Sequence, residues 1–354
     1  MQNNTLILFI VQQNSASIRY RTLHHQEQYA ISSRFTNLYV SLITIALCVK
    51  NCTLYLHRVP LTSRTLPLVL AARLRRIPII FDSDDLVWDS REREYNFLDT
   101  HYSPEVVAQI LKGTRRMHAM MRLADAFVFS TPYLAARAAL DFKQPRFVNE
   151  NALSSEQVTL SSAAIRTHAT PDGKIIIGYF SGQAKVHDED FASIAPAIQH
   201  ILDSYPHVQL RIYGGLVLPT ALRSSQYASR IEKRAAVDWR ELPAHIAQVD
   251  INIAPLVENP QRRSKSAVKY LEAAAVAVPT VAVDMEPYAI IRHGETGLLA
   301  GNIEQWQSAL STLIENTALR QRIGQAARED VLANHTTAAR APQFARIIEQ
   351  VIRR

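Results

Sequence analysis

Along the chain, short β-branched or apolar runs alternate with longer stretches of helical periodicity, the pattern of βα units around a parallel sheet. In the first half the strand runs are Thr5–Val11, Thr53–His57, Pro78–Phe81, Ala126–Ser130 and Arg146–Asn149, with helical stretches at Thr62–Arg75, Pro104–Leu123 and Tyr133–Leu140. The polar, turn-rich stretch Ser154–Lys174 reads as a linker. The pattern then restarts. Strands are predicted at Lys174–Tyr179, Val208–Tyr213, Ile251–Ala254 and Thr280–Val283, and helices at Asp190–Ser204, Pro243–Gln248, Lys265–Val276 and Asn302–Ile314. The expected fold class is α/β, with two doubly wound Rossmann-like domains facing a cleft. The expected division is 1–160, a Rossmann-like acceptor domain; 161–340, a Rossmann-like donor domain; and 341–354, a C-terminal helix able to pack back on the first domain. In such folds ligands sit beyond the carboxyl ends of the strands.

Composition narrows the classes. With 354 residues, 47% of them hydrophobic, and only 10 glycines, the chain is neither disordered nor collagen-like. Its two cysteines make no disulfide framework, and no paired C-x-x-C offers a zinc site. Neither G-x-G-x-x-G in the first domain nor a P-loop appears, which counts against dehydrogenases and P-loop NTPases. The first residues read as a strand rather than a secretory leader. The apolar stretch Leu38–Val49 is well short of the roughly 20 residues that span a bilayer.

Most of the chemical information lies between Asp250 and Gly297. Here a strand ends at Pro255, a polar loop follows, and a helix is predicted from near Ser264 to Val276. On such a helix Lys265, Lys269 and Glu272, spaced i, i+4, i+7, share one face, while Ala267, Tyr270, Leu271 and Ala274 face the sheet. A helix N-terminus attracts phosphate, and Arg262, Arg263, Lys265 and Lys269 add full positive charges beside it. Glu272 would lie roughly 10 Å further along, where a carboxylate can accept hydrogen bonds from ribose hydroxyls. A solvated charge stripe has the same spacing.

This segment resembles the nucleotide-sugar site of retaining GT-B glycosyltransferases of the large family 4 group, which build bacterial surface polysaccharides. Their pattern, a strand ending in Pro, E-x7-E on a helix, a G-x-P-V-V-A strand and a G-x-x-G-x-L turn, is matched by Pro255, Glu272, Val278–Val283 and Gly294–Leu299. The first Glu of E-x7-E falls on Ser264. The sequence instead resembles a subgroup with K-S-x-x-K-x-L-E, through Lys265, Ser266, Lys269, Leu271 and Glu272. Gly178–Gly182 and His187–Phe191 are similar to the loop that opens the donor domain. The family's Arg and Lys of that loop are not matched, and His187 falls about where the Lys stands. Asp238-Trp239 sits where the family contacts the base; a core Trp is the alternative. In the first domain, Pro78–Leu86 resembles the family's strand and acidic loop, and Arg19-Tyr20-Arg21 its first loop. Clustered carboxylates at Asp82, Asp84 and Asp85 are expected to face solvent, a cation or a sugar.

The resemblance implies a glycosyltransferase that moves a sugar from a nucleoside-diphosphate sugar to a glycan or lipid-linked acceptor in capsule or lipopolysaccharide synthesis. Lys265, Lys269, Asp84 and Asp85 would be catalytic. Glu272, Ser181, Gly182, His187, Trp239, Ser264, Ser266 and Arg263 would bind the donor. No metal or other cofactor is expected, because the basic helix neutralises the diphosphate. A silent scaffolding subunit and a nucleotide-sugar epimerase are the alternatives. Of the net charge of +7, most falls in the first domain, partly in the amphipathic stretches Arg64–Arg76 and Leu111–Leu123. These suggest peripheral contact with an anionic membrane at the inner face of a cytoplasmic location. No motif points to nucleic acid.

Overall fold

A computed structural model describes residues 6–11, 16–29, 33–35, 52–89, 91, 102–165, 173–182 and 187–353. Thr5, the stretch Leu38–Val49 and the linker's Pro171 and Asp172 lie outside the described residues. Two compact units result. One comprises Met1–Ala152, Asn259–Ser266 and Arg340–Arg354, the other Leu153–Glu258 and Ala267–Ala339.

The first unit holds strands β1 (Leu6–Val11), β2 (Ser33–Phe35), β3 (Cys52–His57), β4 (Ile79–Ser83), β5 (Ala126–Phe129) and β6 (Arg146–Val148). They form one parallel sheet in the order β2-β1-β3-β4-β5-β6. Side chains alternate between its faces. Leu8, Leu54, Ile79 and Phe127 share a core with α1 (Leu66–Leu74), α2 (Pro104–Leu123) and α3 (Pro132–Ala138). Ile7, Tyr55, Ile80 and Val128 pack instead on Phe344 and Ile348 of the last helix, Thr337–Ile352. Both faces are covered, so the central strands are mostly apolar, with His57 and Asp82 toward their carboxyl ends as charged or polar exceptions.

The second unit repeats the plan with β7 (Ile175–Phe180), β8 (Val208–Tyr213), β9 (Ile231–Arg234), β10 (Ile251–Ala254), β11 (Thr280–Val283) and β12 (Leu298–Ala300), parallel in the order β12-β11-β10-β7-β8-β9. Its helices include α4 (Ser155–Ala164), α5 (Asp188–Ala192), α6 (Ala195–Ser204), α7 (Val268–Ala275), α8 (Ile303–Glu315) and α9 (Thr317–Asn334). Ile177, Leu210, Ile253 and Val281 pack on Ile198 and Leu310. Ala254 and Ala282 pack on Tyr270, Leu271 and Ala274 of α7, the face that the sequence assigns to the sheet. The chain is thus a pair of Rossmann-like α/β units.

Three expectations are corrected. The linker Ser154–Lys174 opens with a helix, α4, because Ser154 and Gln157 form a reciprocal capping box that satisfies two end N–H groups. The helix predicted at Asp190–Ser204 is two, α5 and α6, with Pro196 in the first turn of α6, where its missing N–H costs nothing. Most consequential, α7 starts at Val268 and not near Ser264. Asn259 caps a separate one-turn helix, Pro260–Arg263, which closes at Ser264, so Lys265 lies outside any helix. The i, i+4, i+7 stripe therefore reduces to Lys269 and Glu272.

Candidate functional site

The residues singled out from the sequence fall into two groups, one in each unit. In the first unit β3 and β4 run side by side with His57 opposite Asp82. Asp82 is fully buried, and of the three neighbours expected for it, solvent, a cation or a sugar, the one it meets is a cation, Arg21, also fully buried. Arg21 reaches both carboxylate oxygens and also donates to the Asn149 carbonyl and to Asn151 Oδ1. His57 Nδ1 lies 2.7 Å from Asp82 Oδ1, and Tyr55 Oη donates to Asp82 Oδ2 at 2.7 Å.

The hydrogen-bond chain fixes the proton positions behind this group. Asn149 Nδ2 donates to His25 Nε2 at 2.9 Å, so His25 carries its proton on Nδ1, 3.0 Å from Tyr55 Oη. Burial and the neighbouring Arg21 hold His25 well below the ordinary imidazole value, in the neutral form. Burial alone would push Asp82 up, but Arg21 and His57 outweigh it and hold the carboxyl well below the usual carboxylate range.

Asp84 and Asp85 follow at the carboxyl end of β4. Arg58, at the end of β3, pairs with both. Lys265 Nζ lies 2.6 Å from Asp85 Oδ1. Burial opposes ionisation of Asp85, but Arg58 and Lys265 prevail and keep it charged. Lys265 is held in the first unit with the rest of 259–266: Gln261 Nε2 donates to Leu86 O, and Asn151 Nδ2 donates to Ser266 Oγ at 2.8 Å. Ser264 is buried and donates to Gln261 O, while Arg263 is half-buried. Asp84, Asp85 and Lys265 are therefore brought together, with Arg58, which the sequence reading missed. A lone Arg just past a strand carries no motif; only the pairing of β3 with β4 places it.

In the second unit the carboxyl end of β7 carries Tyr179, which the sequence reading also missed because it alternates like any core aromatic. Lys269 of α7 places its ammonium 4.5 Å from the Tyr179 ring centroid and 3.4 Å from its hydroxyl. That hydroxyl lies 3.5 Å from the His187 carbonyl. His187 Nδ1 is 2.8 Å from Asp190 Oδ2, and Asp190, fully buried, also accepts from the Val257 N–H. Asn252, inside β10, donates to the Lys269 carbonyl and to Thr280, fixing α7 on the sheet. Glu272, half-buried, stands three residues beyond Lys269 and hence on the same helix face.

Ser181 and Gly182 continue directly from β7. The Ser181 N–H is spent on Tyr213 O. The next residue on that side, Gly214, has φ +102°, and a Cβ there would stand 1.9 Å from the Ser181 carbonyl, so this approach requires glycine. Trp239 lies in the turn before Leu242–Ile246, half-buried, with the Arg240 guanidinium 4.4 Å from its ring. Half-buried Lys269 thus stands over the Tyr179 ring at the carboxyl end of a parallel strand, with the opposite charge of Glu272 further along the same helix face, a place where a phosphate and a hydroxylated ligand can be held. Among the described residues no cluster of His, Cys, Asp and Glu is arranged to hold a metal ion.

Residues 175–316 match the family model for glycosyl transferases group 1. No curated protein matches. Solved structures similar to the whole chain include HepE from Anabaena in complex with UDP-glucose, at 12% identity and TM-score 0.64 over 97% of this chain and 99% of that one. A glycosyltransferase from Rickettsia africae has 12% identity and TM-score 0.64, over 99% of each chain. Sucrose-phosphate synthase from Thermosynechococcus elongatus has 13% identity and TM-score 0.62, over 98% of this chain and 99% of that one. These similarities establish the fold.

Proposed function

We propose that this chain, a glycosyltransferase of the GT-B fold whose residues 175–316 form a group 1 domain, transfers a sugar from a nucleoside-diphosphate sugar to a glycan or lipid-linked glycan acceptor. The observation that carries the proposal is Lys269, set against Tyr179 at the carboxyl end of β7 and inside that domain. The bond from the anomeric carbon to the diphosphate breaks, and a bond to the acceptor oxygen forms. The acceptor's proton leaves on the departing diphosphate, and configuration is retained. Charge develops on that diphosphate, and a positioned cation acts most strongly where charge develops. Lys269 supplies the cation, without a metal. Glu272 accepts hydrogen bonds from the ribose hydroxyls, His187 and the Ser181-Gly182 backbone border the phosphates, and Trp239 stacks on the base.

Lys265 has a different standing. Its charge is engaged by Asp85, and it acts together with Asp84 and Asp85 in orienting sugar or acceptor hydroxyls. A surface-glycan pathway at the inner face of the membrane is the setting that this acceptor class suggests. The test is a turnover screen over UDP-, GDP-, TDP- and CMP-sugars with EDTA present. The expected result is hydrolysis of at least one donor, lost in Lys269→Met and weakened in Glu272→Ala. Nucleotide binding without turnover would support a silent subunit instead, and no binding would refute the reading.

A further inference from the structure

In α1, Leu68, Val69 and Ala72 enter the core of the first unit. The opposite side carries Leu66, Leu70 and Leu74, spaced i, i+4, i+8 and thus on one face, at 39%, 52% and 86% exposure. A single exposed leucine is ordinary, but three in one row on a short helix are not. Around them the chain is one-signed. From Arg58 to Arg76 no Asp or Glu occurs, and Arg64, Arg73, Arg75 and Arg76 are exposed.

The neighbouring helix, α2, adds to the same sign. It is sewn to α1 and its approach by Leu61 N–H to Arg116 O and by Arg73 to Leu123 O. From Val106 to Leu123 it too lacks any acid, and Lys112, Arg115, Arg116 and Arg122 are exposed. Its own apolar side is used differently: Met117, Met120, Met121 and Leu123 pack into the core. Of the two amphipathic stretches, α1 alone therefore keeps a leucine row free.

We propose that the leucine row of α1, ringed by these cations, seats the protein on an anionic lipid surface. Leucines enter the boundary of the acyl chains while arginines contact lipid phosphates, the arrangement of an interfacial helix. The charge pattern decides against the other occupants. A two-fold contact through the leucine row would set one rim of exposed arginines, Arg64, Arg75 and Arg76, against its copy, like against like, while Arg73 is paired with Asp125. Nucleic acid would use the cations but gains nothing from a row of leucines. This docking surface stands independently of the glycosyl-transfer reading, since its test needs no donor or acceptor.

The test is sedimentation of the full chain with vesicles of phosphatidylcholine alone or mixed with phosphatidylglycerol. Binding to the mixed vesicles only, weakened by salt, is expected. The surface variant Leu70→Gln/Leu74→Gln should lower that binding roughly tenfold with an unchanged melting temperature. Arg64→Gln/Arg75→Gln should lower it less and reduce the salt dependence. Absence of binding to mixed vesicles, or leucine variants that bind like the wild type, would overturn the proposal. So would a concentration-dependent dimer, abolished by the leucine variants, in a protein that ignores vesicles.

Discussion

Asp82 and Arg21 form a fully buried ion pair between residues 61 apart in sequence, and the carboxylate is further held by His57 and Tyr55. Breaking such a pair by removing one partner leaves an uncompensated charge, so Asp82→Asn should cost about 3–5 kcal/mol, read from urea unfolding at pH 7. A cost below about 1 kcal/mol would show that the pair is not held as described. The nearby histidines set a pH dependence. Burial depresses His24 to about 4, only partly offset by its bond to Ala152 O, and burial with the neighbouring Arg21 holds His25 well below its ordinary value. Both folded-state values lie below the unfolded one, near 6.5, so the unfolded chain takes up protons first as pH falls. Their contribution is fully present above pH ~6.5 and is lost as pH falls from there toward the folded values. Stability should therefore drop by about 1.4 kcal/mol per histidine per pH unit below that point, measured as the urea midpoint between pH 7.5 and 5. The sequence placed Asp82 in an acidic loop and Arg21 in a first loop. It could not join them, because the contact depends on which strands become neighbours.

At the scale of elements the sequence was most legible where a strand or helix has a clean pattern and clear ends. Val208–Tyr213, Ile251–Ala254, Thr280–Val283 and Pro104–Leu123 are found with the predicted bounds. It failed where apolar content is thin or caps compete. The edge strands Ser33–Phe35 and Ile231–Arg234 are short and polar, and Ser154, counted as linker, is an N-cap. The break between Arg263 and Val268 has the same origin: Asn259 and Pro260 start a helix of their own, and the second begins only after Ala267. Ser154→Ala should cost about 1 kcal/mol through the lost cap of α4. Gly324 in α9 lies against the end of α7, where a Cβ would come within 2.1 Å of the Ala277 carbonyl. Gly324→Ala should destabilise by about 1–3 kcal/mol, since backbone rather than a movable side chain must give way. Thermal melts of the two variants check both values, and a Gly324→Ala protein as stable as wild type would rule out that close approach.

For the whole molecule, the net charge of +7 divides among separate tasks. Arg21 and Arg58 neutralise buried or half-buried carboxylates, the cations around α1 remain exposed, and Lys269 stands at the end of β7. Both doubly wound units were legible from the alternation of runs, and the group 1 match at 175–316 falls mostly in the second, which holds Ser181, Gly182, His187, Trp239 and Glu272 of the residues that the resemblance assigns to the donor, while Arg263, Ser264 and Ser266 belong to the first. Tyr179 and Asp190 were not legible, since a strand aromatic and a helix-start acid have ordinary structural uses. The most direct measurement of the central claim is donor turnover under saturating nucleotide-sugar, in EDTA, by wild type and Lys269→Met. Expected are turnover by the wild type and a fall in kcat of roughly 100- to 1,000-fold in the variant with KM little changed, the signature of a group acting where charge develops. Turnover by Lys269→Met at the wild-type rate would contradict it.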